Sequence, residues 1–151
     1  MNEKLIEWND TDIEIGYKGS LDVLLHERFT ENAECVAAKD QSGVFTYAQL
    51  EAASNAVSDI VRAAAEQNVC VLVGNRAERL AYVTGIIKAG RTYVPLGMNT
   101  PVKRNMEIVS NVEPGFIFTD EENREDAELI ASECGIPAEK VLIRTMSELE
   151  K

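Results

Sequence analysis

The sequence offers little for nucleophilic, redox or zinc chemistry: among 151 residues it has one histidine and three cysteines. Cys35, Cys70 and Cys134 are widely spaced and form no Cys-x-x-Cys pair, so neither a disulfide framework nor a zinc site is indicated. We expect all three to be reduced thiols in the core. The histidine, His26, has no nucleophile or carboxylate pair close to it in sequence, so we expect a hydrogen-bonded packing residue.

Long apolar runs and a surplus of basic residues are also missing. No apolar run is long enough to span a bilayer. The N-terminus lacks a basic start followed by an apolar stretch, so no secretory signal is visible and we expect a cytoplasmic location. Lys and Arg total 15 against 26 Asp and Glu, and the net charge of −11 repels phosphate backbones and anionic membrane surfaces. We therefore expect neither nucleic acid nor a membrane as partner.

The familiar motifs of catalysis and nucleotide binding are absent as well. No two glycines have the Gly-x-Gly spacing of a dinucleotide fingerprint, and no serine sits in a Gly-x-Ser-x-Gly elbow. The stretch from Gly85 to Thr92 nearly spells a phosphate loop, with Arg91 in place of the lysine. A phosphate loop follows a strand and opens a helix, whereas this stretch should end a helix and open a strand. The residues alone therefore predict no catalytic, cofactor-binding or metal-binding position.

What is present is the composition of one globular domain, with 45% hydrophobic and 27% charged residues. Residues 1–19 show no helical or strand periodicity in their apolar residues, which indicates a linker or lead-in. We expect Trp8, within this segment, to dock onto an apolar surface. Residues 20–151 form the predicted domain. Helical spacing is found after Ser20, from Thr46 to about Glu66, over 77–89, after Thr100, in the acidic run from Asp120, and after Thr145. Predicted strands are 36–39, 44–45, 69–73, the segment closed by Pro95, 116–118 and 141–143.

Alternating strands and helices of this kind predict an α/β fold. We expect a mostly parallel sheet of about four strands with right-handed crossovers and helices on both faces. The continuously apolar segment 69–73 fits a strand buried on both faces.

Several local signals are specific enough to test. Thr46 and Gln49 predict a capping box, and Phe45 with Leu50 a hydrophobic staple. Gly90 should be the left-handed residue that ends a helix, with Lys88 favourably placed in its last turn. Thr100 before a proline predicts an N-cap.

Apolar and acidic patterns give further expectations. We expect Leu21 and Leu80 on buried helix faces. The acidic run from Asp120 to Glu128 predicts a solvated helix face, since a metal loop would need a glycine turn.

The motifs together resemble the N-terminal part of adenylate-forming enzymes, the superfamily of nonribosomal peptide synthetase adenylation domains, acyl-CoA synthetases and luciferases. Five segments carry the resemblance, and they are Leu25-His26-Glu27-Arg28-Phe29, Phe45 to Leu50, Lys88 to Leu96, Thr100-Pro101 with Arg104, and Phe116 to Thr119. Trp8-Asn9-Asp10-Thr11 is similar to the linker that precedes adenylation domains in peptide synthetases. The peptide synthetase branch is therefore favoured.

This resemblance implies activation of a carboxylic acid, an amino acid in particular, with ATP as acyl-AMP for transfer to a carrier-protein thiol. The family's phosphate-gripping Thr-Ser-Gly-Thr-Thr-Gly-x-Pro-Lys-Gly loop, substrate pocket and catalytic lysine have no counterpart in residues 1–151. We therefore expect an N-terminal fragment or split subunit that is inactive alone. ATP and Mg would bind only after completion by a partner polypeptide. Gly97 also departs from the family, which has aspartate there.

Two alternatives stay open at this point. The chain could be a noncatalytic binding or regulatory module that keeps the fold and associates with itself or with a synthetase. It could also be an unrelated flavodoxin-like protein, which would need a phosphate-binding turn after Val73. Gly74-Asn75-Arg76-Ala77 offers few donors for such a turn.

Overall fold

A computed structural model describes residues 19–151 together with Lys4 and Asp10. The predicted lead-in with Trp8 lies outside the described residues, except for Lys4, Asp10 and Gly19. The helices are α1 (Leu21–Glu31), α2 (Tyr47–Arg62), α3 (Ala77–Lys88), α4 (Val102–Val112), α5 (Arg124–Glu133) and α6 (Met146–Leu149). The strands are β1 (Val36–Asp40), β2 (Gly43–Thr46), β3 (Asn68–Leu72), β4 (Thr92–Pro95), β5 (Phe116–Thr119) and β6 (Val141–Ile143). Short 3-10 turns occupy Glu121–Asn123 and Ala138–Lys140.

Four strands form a parallel sheet in the order β4-β3-β5-β6. In the register, Cys70 of β3 lies opposite Val94 of β4 on one side and Ile117 of β5 on the other. The strands β1 and β2 form a separate antiparallel pair. The predicted α/β class with a parallel sheet is therefore confirmed.

The core has two layers, one on each face of the sheet. Val69 and Val71 of β3 belong to the layer that also holds buried residues of α2 and α3. Cys70 and Leu72 point to the other layer, which includes buried residues of α4 and α5. Alternate side chains of β3 thus enter opposite layers, which confirms a strand buried on both faces. None of the helices among the described residues has the length and apolar content needed to cross a bilayer.

The capping box at the start of α2 is confirmed. The Gln49 amide donates to Thr46 Oγ1 at 3.3 Å, and the Thr46 amide donates to Gln49 Oε1 at 2.9 Å. A cap of this kind contributes about 1 kcal/mol. The helix ends at Arg62 rather than near Glu66, because the amides of Ala63 and Ala64 bond to carbonyls three residues back and tighten the last turn.

The end of α3 is also as predicted. Gly90 has φ +68°, in the left-handed region. Its amide donates to the carbonyl of Ile87 at 2.9 Å, and the next amide, of Arg91, donates to the carbonyl of Ile86 at 3.0 Å. These two bonds form a Schellman motif, so Gly90 closes the helix before β4 begins.

The start of α4 differs from the prediction. The helix begins at Val102 with Pro101 as N-cap, so Thr100 is not the cap. The reason lies in the preceding turn, where the buried side chain of Asn105 bonds both the amide of Gly97, at 3.3 Å, and its carbonyl, at 2.9 Å. A Cβ at Gly97 would lie 2.1 Å from Thr100 Oγ1. Glycine at this departure from the family pattern thus fits the tight turn.

Two apolar residues expected on buried faces are exposed. Leu80 is 43% exposed because α3 turns Ala81, Tyr82 and Ile86 into the core and leaves Leu80 on the outer side. Leu21 is 52% exposed, since α1 buries only Phe29, near its other end. Ser20 does stand at the N-cap of α1, where its hydroxyl bonds the Asp22 carboxylate.

Candidate functional site

A cavity of about 130 Å³ opens where β5 and β6 end and α3 begins. In open α/β sheets, ligands bind in crevices outside the carboxyl ends of the strands. Side chains of several different elements therefore meet in one place. The lining residues are Ser42, Arg76, Glu78, Tyr82, Thr119, Asp120, Glu121, Ile143, Arg144 and Thr145.

Asp120 organises this end of the sheet. Its side chain follows β5 directly and is buried, with Oδ2 accepting from the Gly74 amide at 2.8 Å. Oδ1 accepts from both the amide of Asn123, at 3.0 Å, and its side-chain amide, at 2.6 Å. The predicted solvated helix face is therefore wrong for Asp120, because a 3-10 turn precedes α5 and Asp120 caps that turn. The carboxylate instead ties the end of β3 to the end of β5.

Arg76 precedes α3 and is already paired. Its Nε lies 3.7 Å from Asp120 Oδ2, and a second guanidinium nitrogen donates a hydrogen bond to Glu122 Oε1. The amide of Ala77, the first residue of α3, donates to Asp40 Oδ2 at 2.7 Å. Burial raises the pKa of Asp40, but the amides of Ala77, Ser42 and Gly43 outweigh it and hold that pKa below its usual value.

Glu78 and Tyr82, one turn apart on α3, face β6 and α6. Glu78 is 9% exposed, and its Oε1 accepts from the Met146 amide at 3.2 Å. Its Oε2 is buried without a hydrogen-bond partner. The Tyr82 hydroxyl donates to the Arg144 carbonyl at 2.7 Å and accepts from the Arg144 amide at 3.1 Å. Burial raises the pKa of Tyr82 and keeps it neutral.

A second polar cluster lies among α1, α2 and α3. Lys88 Nζ donates to Glu51 Oε2 at 2.5 Å, to Ser54 Oγ at 2.7 Å and to Asn55 Oδ1 at 3.0 Å. Lys88 lies in the last turn of α3, as predicted, and its ammonium group bonds to side chains of α2. His26 Nδ1 lies 2.7 Å from Glu51 Oε1. Burial raises the pKa of Glu51, but the bonds from Lys88 and His26 outweigh it, so that pKa is lowered.

His26 and the cysteines only partly match expectation. His26 is hydrogen-bonded, but its side chain is 67% exposed, so it is not a packing residue of the core. All three cysteines are free thiols. Only Cys70 lies fully in the core, where burial and the nearby Cys134 raise its pKa to about 12, whereas Cys35 is exposed. Cys35 lies outside the core because it precedes β1 at the edge of the hairpin.

The stretch from Gly85 to Thr92, which resembles a phosphate loop, ends a helix and does not begin one. Its amides at Gly90 and Arg91 bond to carbonyls of α3. Gly85 lies inside α3 against α2, with an added Cβ only 2.6 Å from the Ser54 carbonyl. Across the described part of the chain, no three His, Cys, Asp or Glu side chains come together as a metal site. The prediction that no residue here binds metal, ATP or substrate stays a prediction.

Comparisons with known proteins place this fold in a class. The fold of the luciferase-like enzyme from the mealworm Zophobas morio aligns with a TM-score of 0.77 and 18% identity, over 93% of this chain and 36% of that one. A benzoate CoA ligase from Burkholderia xenovorans aligns with a TM-score of 0.77 and 13% identity, over 88% of this chain and 28% of that one. This chain therefore shares its fold with part of each of these two enzymes.

Sequence comparison gives the family itself. The AMP-binding enzyme family matches residues 25–150, so the chain belongs to this family. A linear gramicidin synthase of Brevibacillus parabrevis is 32% identical over 124 residues, which are 78% of this chain and 2% of that protein. A plipastatin synthase of Bacillus subtilis is 26% identical over 131 residues, 85% of this chain and 5% of that protein. The expected resemblance is confirmed, and the family match excludes the flavodoxin-like alternative.

Proposed function

We propose that residues 20–151 form the first α/β scaffold of an adenylation domain. That domain would activate a carboxylic acid, an amino acid in particular, with ATP as acyl-AMP and pass the acyl group to a carrier-protein thiol. The observation that carries the proposal is the family match over residues 25–150. The names of the relatives, a linear gramicidin synthase and a plipastatin synthase, favour the peptide synthetase branch.

In this proposal the residues of this chain have a structural role. Transfer at a phosphate needs preorganised positive charge and Mg²⁺ at the phosphate oxygens. Lys88 is bound to Glu51, Ser54 and Asn55, and Arg76 is paired with Asp120 and Glu122. That these cations already have partners supports a structural role for them in this proposal. ATP and Mg²⁺ would be held by residues outside 1–151, and the chain alone would be inactive.

The partner in this proposal is a polypeptide segment that completes the adenylation domain. The order β4-β3-β5-β6 leaves β4 and β6 each with one neighbour among the described strands. An edge strand carries unpaired backbone groups that another strand can bond. The segment would be a second chain or a synthetase module. The alternative is a noncatalytic binding or regulatory module that pairs with a copy of itself or docks onto a synthetase through the same edges.

Co-purification tests this partnership. Tagged residues 1–151 are co-expressed with a polypeptide that carries a Thr-Ser-Gly-Thr-Thr-Gly loop and the rest of an adenylation domain, and the complex is sized by light scattering. We expect a one-to-one complex that survives gel filtration. The matched control is the same partner with the tag alone. Recovery of the chain only as a self-associated species would support the noncatalytic alternative and contradict the proposal.

A further inference from the structure

A groove runs along the edge of β1 that does not face β2. Among the described strands, β1 pairs only with β2. The groove has a volume of about 400 Å³ and touches residues 37–40 of β1. Because successive side chains of a strand point to opposite faces, a groove that touches four residues in a row follows the edge of the strand. Its other wall is the turn into α3, with Arg76, Arg79 and Leu80, of which Leu80 is 43% exposed. We call this the β1 groove.

The β1 groove is positively charged, although the chain as a whole carries a net charge of −11. Lys39, Arg76 and Arg79 line it, and the one carboxylate on its described lining, Asp40, accepts hydrogen bonds from three backbone amides. Arg76 pairs with carboxylates outside the groove. No side-chain partner of Lys39 or Arg79 lies in the described part of the chain. An open strand edge beside these two cations and an exposed leucine suits an extended segment that carries both carboxylates and apolar side chains.

We propose that the N-terminal segment of this same chain occupies the β1 groove, with the run Asp12-Ile13-Glu14-Ile15 added to β1 as a strand. Residues 1–18 carry five carboxylates against two lysines, which complements the charge of the groove. These residues as a whole have no period, but the run of four alternates acids with β-branched residues, which suits a strand. In the groove its carboxylates pair with Lys39 and Arg79, and its isoleucines cover Leu80.

The length of the N-terminal segment brings this run to the groove. Asp22 of α1 lines the same surface hollow as Arg62 and Lys88, so α1 begins beside the last residues of α2 and α3. The groove lies at the other end of α3, whose 12 residues measure about 18 Å. An extended chain advances about 3.3 Å per residue, so about six residues before Ser20 cover that distance. Residue 14 therefore arrives at the groove. The inference does not depend on the proposed function, because it needs neither ATP nor a second polypeptide.

Methyl NMR of the full 151-residue chain tests the proposal. With isoleucine and leucine methyl groups labelled, we expect nuclear Overhauser effects between the δ1 methyl of Ile13 or Ile15 and the methyls of Leu80. Leu129 is the matched control, since it is a leucine of α5 that is 48% exposed, and it should show none. A mixture of isoleucine-labelled and leucine-labelled chains tests a second copy as the occupant. Contacts found only between chains, or no contact with Leu80 at all, overturn the proposal.

Charge-reversal variants separate this contact from general charge effects. In the double variant Asp12→Lys with Glu14→Lys, the new lysines face Lys39 and Arg79. We expect the contacts with Leu80 to disappear and amide hydrogen exchange along β1 to become about tenfold faster or more, because the added strand no longer protects the edge. Glu3→Lys with Glu7→Lys makes the same change of charge outside the run and should leave both measurements unchanged. Unchanged exchange in the first double variant, or equal acceleration in the second, overturns the proposal.

Discussion

Replacing Gly85 by alanine should destabilise the chain by about 3 kcal/mol or prevent folding, since overpacking a tight core contact costs about 1–3 kcal/mol and more where backbone must move. The new Cβ would lie 2.6 Å from the Ser54 carbonyl oxygen and 2.6 Å from Val57 Cβ. Both atoms belong to α2, and Val57 is fully buried. Neither atom can be moved by rotating a side chain, so α2 and α3 would have to separate.

Helix propensity predicts the opposite sign for this change. Alanine in a helix interior is favoured over glycine by about 1 kcal/mol, so only the contact with α2 can make Gly85→Ala destabilising. Urea unfolding of both proteins gives the answer. Leu80→Ala on the exposed side of the same helix is the control and should change stability by less than about 1 kcal/mol. A Gly85→Ala chain as stable as the parent would show that the two helices are not in close contact.

Replacing Lys88 by methionine should cost about 2–3 kcal/mol, because removing one member of a buried ion pair leaves the other uncompensated. The side chain of Lys88 is 7% exposed and that of Glu51 17%. Methionine is about as long as the aliphatic part of the lysine side chain, so the loss of stability measures the removal of the charge. The double variant Lys88→Met with Glu51→Gln should regain part of the loss. A single variant as stable as the parent in urea unfolding would mean that this pair contributes nothing.

The pH dependence of the same pair has a defined sign. The pKa of Glu51 is lowered in the folded chain, so its contribution is present above the pKa of the unfolded chain and is lost as pH falls through the folded value. The stability difference between the parent and Lys88→Met should therefore be largest near neutral pH. It should shrink below pH ~4, the ordinary range of a glutamate. A difference that stays constant down to pH 3 would contradict the ion pair.

Local signals in the sequence predicted local structure well. The capping box at Thr46 and Gln49 and the helix stop at Gly90 are settled by residues within a few positions, and both are confirmed. The β3 segment was also recognisable, because a continuous apolar run is typical of a strand buried on both faces. The family resemblance rested on these same local motifs.

Features that depend on distant contacts could not be predicted. Glu51 and Lys88 are 37 positions apart, and Asp120 bonds to Gly74 across 46 positions. The acidic run concealed Asp120, since nothing local separates a buried capping residue from its exposed neighbours. Its position directly after a buried strand was the only available signal. For Gly85, the close approach of two helices was visible only once they were packed.

The central claim, that this chain is the scaffold of an adenylation domain, is tested most directly by exchange of labelled pyrophosphate into ATP. Residues 1–151 are assayed alone and together with a polypeptide that carries the rest of an adenylation domain, each with a panel of amino acids. We expect background exchange from the chain alone and amino-acid-dependent exchange from the completed domain. Exchange by the chain alone would contradict the account. So would a stable, completed complex that exchanges with none of the acids.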